Sequence, residues 1–302
     1  MSLIGDILKA SLERLNERKV VRPIASLKTE AASAPKAAKS FREALESAPF
    51  SIIGEVKARS PSGGTMDPDN VRHALEVYRD AACVSAISIL TDQNYFGSSI
   101  DDLAAARSKT SKPILRKDFI VDEYQVWEAR AFGADAILLM AGVLAARERG
   151  RIQGLYDLAI GLGMDVLFEI GMNEESIGAQ VKSIPSDAAI WGVNSRRFKT
   201  SPFSVRARLG RLLGRDFSTN SARHHDMIKR VPPGKLVVAE SGIEKASEVR
   251  QLADCGYRAA LIGTAFLRRG AQVEKVMSEF DLEIAKGQSE PGIRRVPEVQ
   301  AT

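Results

Sequence analysis

An acid and a base stand two residues apart at the end of an apolar run, in Ile52-Ile53-Gly54-Glu55-Val56-Lys57. Side chains alternate across a strand, so Ile53, Glu55 and Lys57 would share one face. Two opposite charges on a buried face are costly unless they pair or border a wet cavity. Similar endings recur downstream: Lys117 closes Ile114-Leu115-Arg116-Lys117, and Glu169 closes Val166-Leu167-Phe168-Glu169. Asn194 and Arg196 follow Ile190-Trp191-Gly192-Val193, Ser241-Gly242 follow Val237-Val238-Ala239-Glu240, and Gly263-Thr264 follow Ala260-Leu261-Ile262. Two lysines and two carboxylates supply acids and bases whose pKa values proximity can tune. Asn194 and Arg196 supply oriented donors for oxygen or carboxylate. Ser241-Gly242 and Gly263-Thr264 offer backbone N–H groups to a phosphate, and Ser60, after the first strand, adds a hydroxyl. The set points to proton-transfer chemistry on an anionic, phosphorylated small molecule, with no cofactor and no metal. Each piece alone has a plain alternative. Lys117 could pair with Asp118 at the surface, Glu169 could cap a helix, and Gly263 could be a turn.

The elements that would gather these residues are eight short apolar runs separated by helical segments. The runs begin near Ile52, Ala86, Pro113, Ala136, Asp165, Ala189, Leu236 and Ala259. Between them lie segments with helical periodicity such as Tyr124 to Ala131, and Gly133, Gly163 and Gly256 read as helix stops just before a strand. Strand and helix in strict alternation predict a parallel sheet with crossover helices. Closed on itself, that is an α/β fold of the (β/α)8 TIM-barrel type, in which all the strand ends above meet at one mouth. The open, doubly wound competitor usually carries a GxGxxG after its first strand, which this sequence does not. The predicted organisation is an N-terminal helical extension over 1–48, a barrel over 49–286 and a polar, disordered tail over 287–302. A long basic connection, Pro202 to Pro233, would hold an extra helix or a mobile loop.

The 302 residues, 44% hydrophobic and 27% charged, are enough for one large domain with a substantial core. Cys83 and Cys255 lack metal-ligand spacing, and His73, His224 and His225 are the only histidines, which argues against a multi-histidine metal site. The net charge of +5 favours anionic ligands. The basic residues show no interleaving with aromatics, which argues against nucleic acid as a partner. No apolar run approaches the roughly 18 residues of a membrane span, and Met1 to Glu13 lacks the pattern of a secretory signal. The expected location is cytoplasmic, without membrane attachment; the oligomeric state is not readable.

The order and wording of these segments resemble the indole-3-glycerol phosphate synthase family. The resemblance is carried by Gly54-Glu55-Val56-Lys57 with Ser60-Pro61-Ser62, Ile89-Leu90-Thr91-Asp92 with Tyr95-Phe96-Gly97, and Pro113 to Phe119 with Asp122-Glu123-Tyr124-Gln125. Gly192-Val193-Asn194-Ser195-Arg196, Ala239-Glu240-Ser241-Gly242-Ile243 and Leu261-Ile262-Gly263 continue it. It implies a carboxy-lyase of tryptophan biosynthesis that converts 1-(2-carboxyphenylamino)-1-deoxyribulose 5-phosphate to an indole with loss of carbon dioxide and water. It also implies roles. Lys117 is the general acid at the ketone, and Glu169 its carboxylate partner, as base or as electrostatic stabiliser. Lys57 engages the substrate carboxylate and serves the departing hydroxyl, and Glu55 pairs with Lys57 and serves the dehydration. Asn194 and Arg196 orient substrate, and Ser241 hydrogen-bonds nearby. Ser60, Gly242, Gly263 and Thr264 form the phosphate side, and Phe96 and Phe119 the apolar wall.

The sequence departs from the family pattern in places. Gly63 stands where lysine is common, Gly171 where histidine often follows the glutamate strand, and Arg197-Phe198 replaces an acidic or amide residue and leucine. The long basic connection is also unusual. Those departures motivate two rival readings: a non-catalytic relative that binds a phosphorylated ligand or a partner protein, and another phosphosugar enzyme such as a ketose isomerase. Retention of Glu55, Lys57, Lys117 and Glu169 argues against the first. The first-strand lysine with Arg116-Lys117-Asp118-Phe119 argues against the second.

Overall fold

The computed structural model describes residues 3–60, 64–144, 150–172, 176–197 and 221–289. Its strands are β1 (Ser51–Val56), β2 (Arg59–Ser60), β3 (Gly64–Thr65), β4 (Val84–Leu90), β5 (Ile114–Lys117), β6 (Ala136–Met140), β7 (Asp165–Met172), β8 (Ile190–Arg197), β9 (Leu236–Glu240) and β10 (Ala259–Ile262). Eight of them close into a parallel barrel in the order β1-β10-β9-β8-β7-β6-β5-β4, with helices around it. This is the (β/α)8 fold expected from the alternation of strand and helix. Gly133, Gly163 and Gly256 adopt φ of 92°, 72° and 99°, the left-handed helix stop read from the sequence.

Alternation along the strands sorts the side chains. A Cβ on Gly54 would meet the Tyr78 ring of helix Pro68–Asp80 at 2.6 Å, so Gly54 faces outward and its neighbours Ile53 and Glu55 face the barrel interior. Helix Pro68–Asp80 starts where it does because Asp67 caps it, accepting from the Asp69 N–H, with Pro68 in the first turn. Between barrel and helices the core is filled by large buried rings, among them Tyr78, Phe168, Trp191, Tyr257 and Phe266.

Three details differ from the expectation. Lys57 lies just beyond β1. The small-residue turn after it holds a two-stranded antiparallel ribbon, β2 with β3. β7 and β8 also run on to Met172 and Arg197, past the ends that hydrophobicity alone suggests. Their pairing shifts register between Gly171 and Met172. Backbone hydrogen bonds are indifferent to side-chain polarity, so a strand can outlast its apolar run.

Ahead of the barrel, helices Leu3–Val21, Ile24–Ser33 and Phe41–Glu46 run from its mouth to its floor. At the mouth, Arg14 pairs with Asp92 at 3.0 Å, just past β4, and Lys19 pairs with Asp122 at 2.8 Å, past β5. At the floor, Asp165 opens β7 and accepts from the Arg42 N–H at 2.8 Å. Leu15 and Leu27 pack with Tyr124 in a small apolar cluster of their own. Of the polar tail, 287–289 complete helix Val273–Ser289, and 290–302 lie outside the described residues. Of the basic connection Pro202 to Pro233, 202–220 lie outside them too, and within the rest stands an extra helix, Ser221–Ile228.

Candidate active site

The C-terminal ends of β1, β5, β7, β8 and β9 carry a connected group of charges. Lys57 Nζ donates to both Glu55 oxygens, at 2.7 and 3.0 Å, with both residues buried. Across the mouth, Lys117 Nζ lies 4.0 Å from Glu169 and 3.9 Å from Glu240. Asn194 Nδ2 donates to Glu169 Oε1 at 3.2 Å. Register explains the grouping: Glu169 pairs with Gly192 and Met140, and Asn194 pairs with Glu240. Asp118 is bound to Arg116 at 3.0 Å, so the surface pairing with Lys117 weighed from sequence gives way to a buried one next door.

Glu240 is the residue that sequence reasoning left without a role. It is buried, no N–H or hydroxyl donor among the described residues reaches its carboxylate oxygens, and the Glu169 carboxylate is close enough to share its proton. Burial, then the neighbouring Glu169 charge, push its pKa well above the usual carboxylate range, against the opposing pull of Lys117. Glu55 adds a smaller push in the same direction, which ties the two halves of the mouth together electrostatically. Its room is made by Gly192: a Cβ there would collide with Glu240 Oε1. A signal was present, since Val238 and Glu240 share a face by alternation and the strand ends on a carboxylate, as β7 does.

Gly171 also gains a reason. Its φ is 131°, and a Cβ there would run into the Asn194 carbonyl. The histidine common at this position would not fit this backbone. The buried Gln180 side chain grips both backbone groups of the same residue, accepting from Gly171 N–H at 3.0 Å and donating to Gly171 C=O at 3.1 Å.

On the far side of the mouth, Gly263 sits against Glu55, where a Cβ would come within 2.9 Å of the Glu55 Cβ. Gly263 and Thr264 open the short helix Thr264–Leu267. Ser241 and Gly242 turn the chain after β9 with φ of 68° and 79°. Ser195, also missed from sequence, is buried between β8 and β9 and donates to the Ser241 carbonyl at 3.0 Å. Phe96 and Phe119 are half-buried, Phe119 packing on the main core. The helix bearing Phe96 is tied to the loop after β1, because Arg59 donates to the carbonyls of Gln93 and Asn94 at 3.1 and 2.8 Å. The backbones of Ser60 and Arg196 lie in β2 and β8; their side chains, like Gly63, lie outside the described residues.

Residues 4–280 match the sequence profile of indole-3-glycerol phosphate synthase. The chain belongs to the indole-3-glycerol phosphate synthase family. It is 34% identical over 287 residues to indole-3-glycerol phosphate synthase of Thermoanaerobacter sp. (strain X514), covering 94% of this chain and 99% of that protein. To the protein of the same name from Lachnospira eligens it is 37% identical over 279 residues, covering 92% and 96%. Among solved structures, it resembles orotidine 5'-phosphate decarboxylase from Pyrococcus horikoshii OT3. The TM-score is 0.54 at 11% identity, over 77% of this chain and 99% of that one, a likeness of fold. As a family member the chain is a carboxy-lyase of tryptophan biosynthesis. It performs ring closure, decarboxylation and dehydration on 1-(2-carboxyphenylamino)-1-deoxyribulose 5-phosphate. Among the described residues, no helix is long and apolar enough to cross a membrane.

Proposed function

We propose that the indole-forming reaction is divided between the two charged groups of the mouth. Lys117 protonates the ketone oxygen as the aromatic carbon attacks, and Glu169 stabilises that ammonium. Glu240 keeps its proton in the resting site. Lys117 then faces one full countercharge rather than two and stays acidic enough to give up its proton. Asn194 fixes Glu169 by its amide, and Arg196 and Ser241 orient the substrate. Lys57 first binds the substrate carboxylate, which leaves as carbon dioxide, and then donates to the departing hydroxyl. Glu55, beside it, accepts the proton released as the indole becomes aromatic. Ser60, Gly242, Gly263 and Thr264 receive the phosphate, and Phe96 and Phe119 wall the aromatic ring.

The observation that carries this reading is the position of Lys117 Nζ, 4.0 Å from Glu169 and 3.9 Å from Glu240. There the ammonium stands between two carboxylates at the mouth, where a substrate oxygen would meet it. The test is the conversion of the carboxyphenylamino-deoxyribulose phosphate, followed by indole fluorescence, in Lys117→Ala and Lys57→Ala separately. Loss of ring closure in the first, and accumulation of a decarboxylated, still hydroxylated species in the second, is expected. Identical behaviour of the two variants would refute the division.

The same proposal takes the chain as three parts, an extension over 1–48, a barrel over 49–286 and a tail over 287–302. It also takes it as a cytoplasmic protein without nucleic-acid partners. Salt-sensitive retention on a polyanion column at physiological ionic strength would count against that.

A further inference from the structure

The turn after β9 is held in a shape it would not take alone. Ser241 is the one residue other than glycine, among those described, with a positive φ, at 68°. Such a conformation costs a residue with a Cβ and persists where its surroundings over-determine it. Here they do so through the Ser241 carbonyl, which accepts from two side chains: Ser195 Oγ at 3.0 Å and His224 Nε2 at 3.1 Å. His224 is buried in helix Ser221–Ile228, which lies within the basic connection. The residue before it, Arg223, is buried too and donates from Nη1 to the Ser195 carbonyl at 2.7 Å. One helix therefore grips the ends of both β8 and β9, and Ser195 crosses between them.

The imidazole itself is fixed. Tyr257 stands edge-on to its ring, with centroids 5.4 Å apart, and donates from its hydroxyl to the His224 carbonyl at 2.8 Å. A carbonyl can only accept, so Nε2 carries the proton. Nδ1 is buried without a partner, and burial lowers the pKa, so the ring stays neutral. A neutral, buried histidine whose one donor is spent on a backbone carbonyl is a bracket rather than a proton shuttle.

We propose that His224 and Arg223 are positioning residues that, through Ser195, lock the turn at Ser241-Gly242 in the form that binds the substrate phosphate. This rests on the reading of Gly242 as part of the phosphate side. Substrate affinity is then set partly by a helix that touches no substrate atom.

The experiment is steady-state kinetics on the full chain, with inorganic phosphate as a competitive probe, for His224→Leu, His224→Gln, Ser195→Ala and Gly242→Ala. Loss of one donor to a buried carbonyl should raise KM and the phosphate inhibition constant about tenfold, with kcat within about threefold. His224→Gln, whose amide can still donate, should recover most of that loss. Ser195→Ala carries the same signature should His224→Leu fold poorly. The inference is overturned, with the phosphate reading intact, if Gly242→Ala weakens phosphate and the folded His224 and Ser195 variants do not. It is also overturned if those variants lower kcat at constant KM. Should no variant, Gly242→Ala included, move either constant, the phosphate reading fails and takes the inference with it.

Discussion

Arg116 and Lys117 are neighbours on β5 and live in opposite worlds. Arg116 points outward, with 1% of its side chain exposed, and four of its five guanidinium donors are bonded. It donates to Thr91 Oγ1 at 3.1 Å, the Gln125 carbonyl at 2.8 Å, Asp118 at 3.0 Å and Glu128 at 2.8 Å. Lys117 points inward, 19% exposed, with two carboxylates standing off at about hydrogen-bond length plus an ångström. Both positions place a cation among acids. One spends four of its five donors on fixed protein partners away from the mouth; the other is part-exposed at the mouth, where a ligand can reach it. A perturbed electrostatic environment is therefore a poor guide to chemistry until access from the mouth is counted.

The sharpest way to break this contrast is Arg116→Met. Removing it takes the shared buried cation from Asp118 and Glu128, so stability to urea should fall by roughly 3–5 kcal/mol. The kcat per folded molecule should stay near the wild-type value. A collapse of kcat in a stable Arg116→Met protein would erase the distinction. Next comes Lys117→Ala: turnover measured by indole fluorescence should drop by ~10²-fold or more, equivalent to about 2.7 kcal/mol, while the urea midpoint barely moves. Near-normal turnover would remove Lys117 from the chemistry.

A smaller effect lies in pH. Glu240 has a raised folded-state pKa, so above the unfolded carboxylate value the folded state holds a proton that the unfolded chain has released. Its contribution to stability is complete below about pH 4.3 and declines as pH climbs toward the folded pKa, by at most ~1.4 kcal/mol per pH unit. In Glu240→Gln that decline should vanish. The difference in unfolding free energy, wild type minus variant, should therefore shrink steadily from pH 5 to pH 8. A flat difference would mean that Glu240 ionises as an ordinary surface acid does. Smallest of all is Arg18→Ala. Arg18 is the outer end of the Arg116 network, bonded to Glu128 at 2.9 Å but one-third exposed, and its loss should cost under ~1 kcal/mol by thermal or urea unfolding. A larger loss would show that the Arg116 network extends its cooperativity to the surface.

The barrel was legible because its signal is repeated eight times, and a few displaced strand ends do not disturb a closed order. The charges at strand ends were legible because an acid or lysine closing an apolar run is conspicuous. Glu240 was hidden by the same logic: it ends a run, but its meaning comes from Glu169, aligned with it by the register of β7, β8 and β9, and from Lys117, which reaches it from β5. Gln180 and His224 were harder still. Each acts on a backbone group, and nothing in a sequence says which carbonyl a side chain will find. Gly171 could be recognised as a departure from the family pattern, but only the Asn194 carbonyl pressed against its missing Cβ explains it.

The extension that opens the chain has a consequence in time as well as in space. Arg18 finds its partner 110 residues later, at Glu128, and Arg14 finds its own 78 residues later, at Asp92. During synthesis at roughly 5–20 residues per second, the first helix emerges and must wait on the order of 5–20 seconds before the segment that holds it exists. The barrel waits longer, since β1 needs β10. For that interval the helix exists without the surface it docks on.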